Sequence, residues 1–358
     1  MCRTYNTIGS LTTLKTSLEN NNIYDFKSVK EVIEFQKSFS TSRQELISLH
    51  ENLIENEKNN LTINLPILKS EVETQREQTT QQLTQNIDIL KKQLNNLDHK
   101  ISTNYYQKIT ILLKKWHYKR KIKHKESDFE KDIEMSLAKI LEDYQFKSDR
   151  LQFISSNFNE AVSESAQNPL SELERKKAVI DSLNNYIYGA LGEQKVVKTL
   201  ECLSDDYYLI NDFAVTFSKA IYHKQENDYI KSVQIDHILV APSGIFLIET
   251  KNWSEKSIQN MSLRSPVEQI KRANYALYHL LNSDKSNYRL RLDKHHWGDK
   301  KTPIKNLIVL TKTKPIEEFQ YVKILTTNEL IHYLNYFKPI FSSSETKKIA
   351  EFILQLNG

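Results

Sequence analysis

Asp236, Glu249 and Lys251 are the residues whose types and spacing point most directly to chemistry. They stand in two apolar runs, Gln234-Ile235-Asp236-His237-Ile238-Leu239-Val240 and Ile245-Phe246-Leu247-Ile248-Glu249-Thr250-Lys251, separated by Ala241-Pro242-Ser243-Gly244. Side chains alternate along a strand, so Glu249 and Lys251 share a face. A turn of two or four residues centred on Pro242-Ser243 sets Asp236 directly across from Glu249, with Cβ atoms roughly 5 Å apart. Two carboxylates that close repel each other, and a divalent cation or a shared proton resolves the conflict. Lys251 adds a cation that can bind a phosphate or hold an attacking water. The simpler alternative for so short a pattern is a strand-face salt bridge between Glu249 and Lys251 beside a solvated Asp236.

A third carboxylate joins them from a helix. Glu193, Val196, Val197 and Leu200 fall at i, i+3, i+4 and i+7, which sets Glu193 on the apolar stripe that should face the sheet. A buried acid there needs a partner. Gly189 and Gly192 just before it permit close approach of backbone or ligand. Three carboxylates and a lysine suit Mg²⁺-assisted phosphodiester hydrolysis, because Mg²⁺ takes oxygen ligands, keeps several waters and shares the substrate phosphate.

The elements that must position these residues read as a mixed α/β domain from residue 186 onward. A helix is expected over 191–203, strands over 207–213, 233–240 and 245–251, a helix opened by Pro266, strands over 307–310 and 322–325, and a helix after the capping box Thr326-Thr327-Asn328-Glu329. The stretch between Phe213 and Val233, rich in Lys and Asn, reads as a long variable loop on the substrate side. A last helix over 335–358 should pack on this domain.

Upstream the chain changes character. Of 6 glycines only Gly9 precedes residue 189, and only Pro66 and Pro169 of the 7 prolines lie in the first half. Such a stretch reads as long helices, giving a helical arm over 1–185. Leu83, Ile87, Leu90, Leu94, Leu97 and Ile101 follow a 4-3-4-3-4 spacing, the seam of a coiled coil or helical hairpin, within the chain or with a second copy or partner protein. Pro66 should separate an earlier helix over 29–59 from this one. A third helix is expected over 129–158, and Asn168-Pro169 should break the chain before a helix capped by Ser171 and Glu174.

Between them, Lys114-Lys115-Trp116-His117-Tyr118-Lys119-Arg120-Lys121-Ile122-Lys123-His124-Lys125 interleaves basic and aromatic side chains. Lys119, Arg120, Lys121 and Lys123 are candidates for gripping phosphates while rings stack on bases. A solvated helix face or the charged tip of a hairpin is the alternative.

Composition limits the classes. A net charge of +5 is compatible with a polyanionic partner without requiring one. Cys2 and Cys202 make neither a disulfide framework nor a cysteine zinc site, so a reducing cytoplasm is expected. No apolar run reaches membrane-spanning length, and no apolar segment follows Met1-Cys2-Arg3-Thr4-Tyr5, so neither a membrane partner nor a secretory leader is expected. No glycine-rich phosphate loop is present. His295-His296-Trp297 is a weak metal candidate.

Gly189-Ala190-Leu191-Gly192-Glu193, Ile235-Asp236-His237-Ile238-Leu239-Val240, Gly244-Ile245-Phe246-Leu247-Ile248-Glu249-Thr250-Lys251-Asn252-Trp253 and Pro266-Val267-Glu268-Gln269, in this order, resemble the NERD (nuclease-related) domain. That family belongs to the PD-(D/E)xK nuclease superfamily. The resemblance covers residues 186–334 and leaves the arm unexplained. It implies a restriction-endonuclease-like domain with a central mixed sheet flanked by helices, so that with the coiled-coil arm read from the heptad spacing the chain is expected to be α+β. It further implies that Asp236 and Glu249 bind Mg²⁺, for which Mn²⁺ can substitute, with the Thr250 carbonyl as a further ligand. Lys251 would position or activate the water. Glu193 would bind the metal directly or through water, and Gln269 would contact the site or the substrate backbone. His237 is expected to orient a neighbour or pack on the opposite face. The activity implied is that of a Mg²⁺-dependent DNA endonuclease, with a setting in defence against foreign DNA resting on analogy alone. The alternative is a catalytically silent nucleic-acid-binding module assembled through its coiled coil.

Overall fold

A computed structural model describes residues 1–99, 105–224, 226–253, 263–282 and 302–357. Compact packing divides the chain into two units, Met1–Ser38 with Arg175–Gly358, and Phe39–Glu174. The expected arm over 1–185 therefore does not coincide with a unit. Its first 38 residues belong with the downstream residues because they supply a strand and a helix there.

The first unit is built on a six-stranded sheet in the order β1-β2-β3-β4-β5-β6. The strands are β1 (Arg3–Tyr5), β2 (Tyr208–His223), β3 (Asp228–Ala241), β4 (Gly244–Lys251), β5 (Ile304–Leu310) and β6 (Val322–Thr326). β1 runs parallel to β2, the β2-β3-β4 set is antiparallel, and β5 and β6 continue parallel to β4. The sheet is mixed and flanked by helices, an α+β fold as the resemblance implies.

Alternation along the strands sorts apolar side chains into two cores. Ile238, Val240, Ile245, Leu247, Ile308 and Leu310 pack with Val267, Ile270 and Leu277 of α7 (Arg264–Asn282) and with Ile349 and Ile353 of α9 (Ser343–Leu356). Leu239, Phe246, Ile248, Leu307 and Val309 pack with Val196 and Leu200 of α6 (Asn184–Leu200) and Leu330 and Leu334 of α8 (Thr327–Asn335). The box of Thr326 and Glu329 caps α8 as expected. A third cluster joins Leu14 and Leu18 of α1 (Gly9–Asn20) to Ile187 and Ala190 of α6.

The expected substrate-side loop between Phe213 and Val233 is instead the extended arm of the β2–β3 hairpin, paired out to His223 and Asp228. Ile221, Tyr222, Tyr229 and Ile230 supply its strand-forming side chains. Exposed polar residues such as Ser218, Lys219, Lys231 and Ser232 interrupt them and mask the period.

In the second unit, α2 (Val29–Asp98) runs as one helix through Pro66, where a break was expected. α3 (Tyr105–Ser127), α4 (Phe129–Ser156) and α5 (Phe158–Ser182) return antiparallel to it. α5 likewise continues through Pro169. A proline removes one hydrogen bond and crowds the preceding turn; both helices continue because contacts on either side hold them. His50 to Ser165 (2.8 Å), Arg150 to Glu57 (2.8 Å), Ser136 to Thr79 (3.2 Å), Lys91 to Glu126 (2.8 Å) and Lys115 to Asp98 (2.6 Å) clip the two directions together. Ile87 of the expected seam is buried, and Leu83, Leu90, Leu94 and Leu97 are partly so, within one chain. Ile101 lies outside the described residues. The basic segment is helical throughout, in the body of α3 rather than at a turn. No helix among the described residues is long and apolar enough to cross a membrane.

Candidate active site

β3 and β4 are joined by the two-residue turn Pro242-Ser243, with Ala241 facing Gly244. Gly244 has φ +132°, a conformation that disfavours any side chain. This register makes Asp236 the residue opposite Glu249. Backbone pairing stops one position short, at His237 and Ile248, while β4 stays paired to β5 through Lys251. The strands part where the two acids meet. The Asp236 Oδ2 accepts the Thr250 N–H at 2.7 Å, in place of a ladder bond.

Glu249 is buried and Lys251 lies on its face, where the ammonium donates to Glu249 Oε1 at 2.7 Å. The expected ion pair is therefore present. Asp236 beside it is half-buried, and burial and the neighbouring charges of Glu249 and Glu193 hold that carboxyl well above its usual range. Burial pulls the Lys251 ammonium down, but the charge of Glu249 and its hydrogen bond outweigh this and leave it raised. Gln269, in the first turns of α7, extends its amide toward Glu249 Oε2 at 3.5 Å, a long contact.

Glu193 is buried on α6, as its place on the apolar stripe requires. Its carboxylate accepts from the Ser10 hydroxyl and, at 3.4 Å, from the Ser10 backbone N–H. It thus sits at the open N-terminus of α1, where amide donors and the helix dipole favour a negative charge. Burial nonetheless raises its pKa, with Asp212 and Glu249 adding to the rise. Two glycines make the approach possible. A Cβ at Gly189 would lie 2.7 Å from Ser10 Oγ, and one at Gly192 would lie 2.9 Å from Asn252 Cβ.

Several neighbours carried no site expectation. Ser10 comes from the far N-terminus. Asp212, at φ +48°, stands across from Asp236 in the β2–β3 register, and its carboxylate accepts from Gln234 at 3.0 Å. Asn252 donates to the Tyr188 carbonyl at 2.7 Å and accepts from the Thr311 hydroxyl, tying the ends of β4 and β5 to α6. Lys195 reaches the Thr311 carbonyl at 2.5 Å. One signal for the N-terminal contribution lay in plain view. Gly9, isolated in a glycine-poor half, is where a Cβ would meet Asp212 Oδ1 at 2.6 Å.

His237 is fully buried, with Nδ1 2.8 Å from Asn211 Oδ1, and Asn211 in turn donates to the Asn6 carbonyl at 3.0 Å. Burial lowers its pKa to about 3, so the ring is neutral. Its place is in a packing network. Lys119, Arg120, Lys121 and Lys123 lie on α3 in the other unit. His295, His296 and Trp297 lie outside the described residues.

Among the described residues no group of three or more His, Cys, Asp or Glu side chains is gathered closely enough to hold a metal ion by itself. Asp236 and Glu249, opposed across the strands, are the pair that could hold a divalent cation here, with backbone carbonyl and water completing the shell, as Mg²⁺ commonly has.

A mixed sheet carrying a D…ExK constellation at the end of paired strands defines the class of the site. Residues 188–311, about a third of the chain, match the family model described as the nuclease-related domain, NERD. This segment contains all four motifs, and Ser10 lies outside it. Comparisons with curated proteins and with solved structures give no match.

Proposed function

We propose that the chain hydrolyses phosphodiester bonds at the Asp236–Glu249–Lys251 site, with DNA as substrate and Mg²⁺ or Mn²⁺ as cofactor, cutting internally. The observation that carries this is the pairing of the buried Glu249 with the half-buried Asp236 opposite it and with one lysine, at the point where their strands separate. Asp236, Glu249 and the Thr250 carbonyl are the metal ligands in this reading, and Glu193 stands behind them, bound to Ser10. When bound, the ion acidifies a water and neutralises charge developing on phosphorus. Lys251 then orients that water or the scissile phosphate, its ammonium kept charged by Glu249. Gln269 steadies Glu249 or meets the substrate backbone. A role in defence against foreign DNA remains an analogy with other nucleases of this type.

The second reading is a module that grips nucleic acid without cutting it. It is favoured by the absence of a three-acid cluster among the described residues and by the engagement of Glu193 with Ser10. Incubation of the purified full chain with supercoiled plasmid, single-stranded DNA and RNA decides between them. The nuclease reading expects nicking in Mg²⁺ or Mn²⁺, none in chelator, and none with Glu249→Ala. No cleavage of any substrate, with binding retained, establishes the silent module.

A further inference from the structure

A cleft of about 980 Å³ opens at the opposite end of the parallel strands from the carboxylates. Glu249 pairs with Ile308 and Lys251 with Leu310, near the end of β5, whereas the cleft is lined by Ile304, Lys305 and Asn306 at its start. At about 3.3 Å per residue, the separation along β5 is roughly 15 Å. α7 spans the same distance, with Gln269 near the acids and Tyr278 lining the cleft.

The chemistry of this cleft is unlike that of the acid site. Lys305 is half-buried, with its ammonium 4.3 Å from the Phe337 ring centroid and 5.2 Å from that of Phe246. Lys323 follows on β6. The register of β5 and β6 sets it opposite Leu307, on the face that Lys305 occupies. Neither lysine has a carboxylate partner among the described residues, and burial alone pulls the Lys305 pKa down. The acid in the cleft, Glu226, lies 3.2 Å from His223 Nδ1. A half-buried lysine held against rings without a counter-ion is a site where an anion gains a charge-assisted hydrogen bond that can offset its own desolvation.

The remaining lining supplies a planar surface and amide groups. Tyr321 immediately precedes β6 at φ +66° and is 77% exposed, so its ring is presented to solvent rather than packed. Asn306 is fixed between Asn274 (2.8 Å) and the Tyr321 carbonyl (3.1 Å), which holds that irregular turn in place. A tyrosine in this backbone conformation is uncommon and is retained only where the surroundings impose it.

We propose that this cleft binds a nucleoside phosphate, with the phosphate between Lys305 and Lys323 and the base against the Tyr321 ring. Stacking on a tyrosine and ion pairing to lysines are the two interactions that such a ligand offers together. A free mononucleotide and the terminal nucleotide of a strand share this chemistry. The proposal does not depend on cleavage at the acid site.

Calorimetric titration of the full chain in chelator tests it, with AMP, UMP, adenosine, inorganic phosphate and a 5′-phosphorylated tetranucleotide as probes. Saturable binding of AMP or UMP assigns a free nucleotide. Binding of the tetranucleotide alone assigns the end of a strand. In either case Lys305→Met and Lys323→Met should each weaken affinity roughly 10- to 100-fold. Tyr321→Asn, which suits the left-handed backbone, should weaken it by a similar factor through lost stacking. Lys323→Met guards against a packing defect at Lys305, since Lys323 is exposed. Glu249→Gln should leave this binding unchanged, which separates failure here from failure of the nuclease reading. Absence of saturable binding by any nucleotide at millimolar concentration overturns the proposal. So does inorganic phosphate binding as tightly as AMP, or affinity unaltered in all three cleft variants.

Discussion

The helical unit and the acid end of the sheet treat charge in opposite ways. Along α2 and its returning helices, opposite charges meet at or near the surface, as in Arg150 with Glu57 and Lys91 with Glu126. The Arg150 guanidinium pulls the Glu57 pKa below its usual range, the ordinary result of a matched pair. At the acid site Glu193, Asp236 and Glu249 gather with one lysine, and the pKa values of Glu193 and Asp236 rise instead. Matched pairs contribute little stability each and are easily exchanged. A buried surplus of carboxylates costs stability in the free protein, and that imbalance marks where a cation or substrate is expected to act.

The largest expected effect follows from removing the surplus charge and its lysine. Glu249→Ala, Asp236→Ala and Lys251→Ala should each lower cleavage by at least about 100-fold, the scale of losing one positioned catalytic group. Circular dichroism should show the fold retained. Substantial activity in Glu249→Ala would break the comparison, because the surplus would then be without function.

Stability offers a second, opposite-signed effect. The folded pKa of Asp236 is raised, so between its unfolded and folded values the native state binds more protons than the unfolded state. Stability of the metal-free protein therefore falls as pH rises through that window. Asp236→Asn can still accept the Thr250 N–H and carries no charge. At pH 7 without metal it should melt higher than wild type, by roughly 2–4 °C for each kcal/mol of relieved repulsion, and the difference should vanish toward pH 3. A lower melting point at pH 7 would show that the surplus is already neutralised within the chain.

In the helical unit, Ile87→Ala should destabilise the full chain by about 2–4 kcal/mol, the cost of a cavity at a buried position. Denaturant melts should show it as a shift of the transition for that unit, with the acid site's activity little changed. The smallest effect is expected from changing Lys119, Arg120, Lys121 and Lys123 to Gln. If these contact phosphates, the salt dependence of duplex binding should flatten by about 0.9 per lost contact. An unchanged slope returns α3 to the class of solvated surfaces, where its ion pairs with α2 already place part of its charge.

Much of this contrast was legible in the residues. The two-residue turn at Pro242-Ser243 fixes the Asp236–Glu249 register. The helical period of Glu193, Val196, Val197 and Leu200 fixes the inward acid, and the capping box at Thr326 fixes the start of α8. These signals are local, carried by strand alternation, helix period and turn chemistry. What escaped was non-local or overridden by packing. Nothing adjacent in sequence says that Ser10 meets Glu193, because residues 183 apart are joined only by the folded chain, and the facing of Asp212 and Asp236 depends on the β2–β3 register. Pro66 and Pro169 have intrinsic preferences for a break, yet contacts on both flanks carry the helices through. The β2–β3 arm was hidden because polar residues such as Ser218, Lys219 and Lys231 interrupt its strand-forming ones.

The central claim is that opposed Asp236 and Glu249 form a divalent-cation site. Titrating Mn²⁺ into the metal-free full chain, with binding followed calorimetrically in wild type and in Asp236→Asn, tests it most directly. The account predicts saturable binding in wild type that is lost or weakened at least tenfold in the variant, since one carboxylate of the pair is gone. Equal affinity in the two proteins, or no binding in wild type, would contradict it.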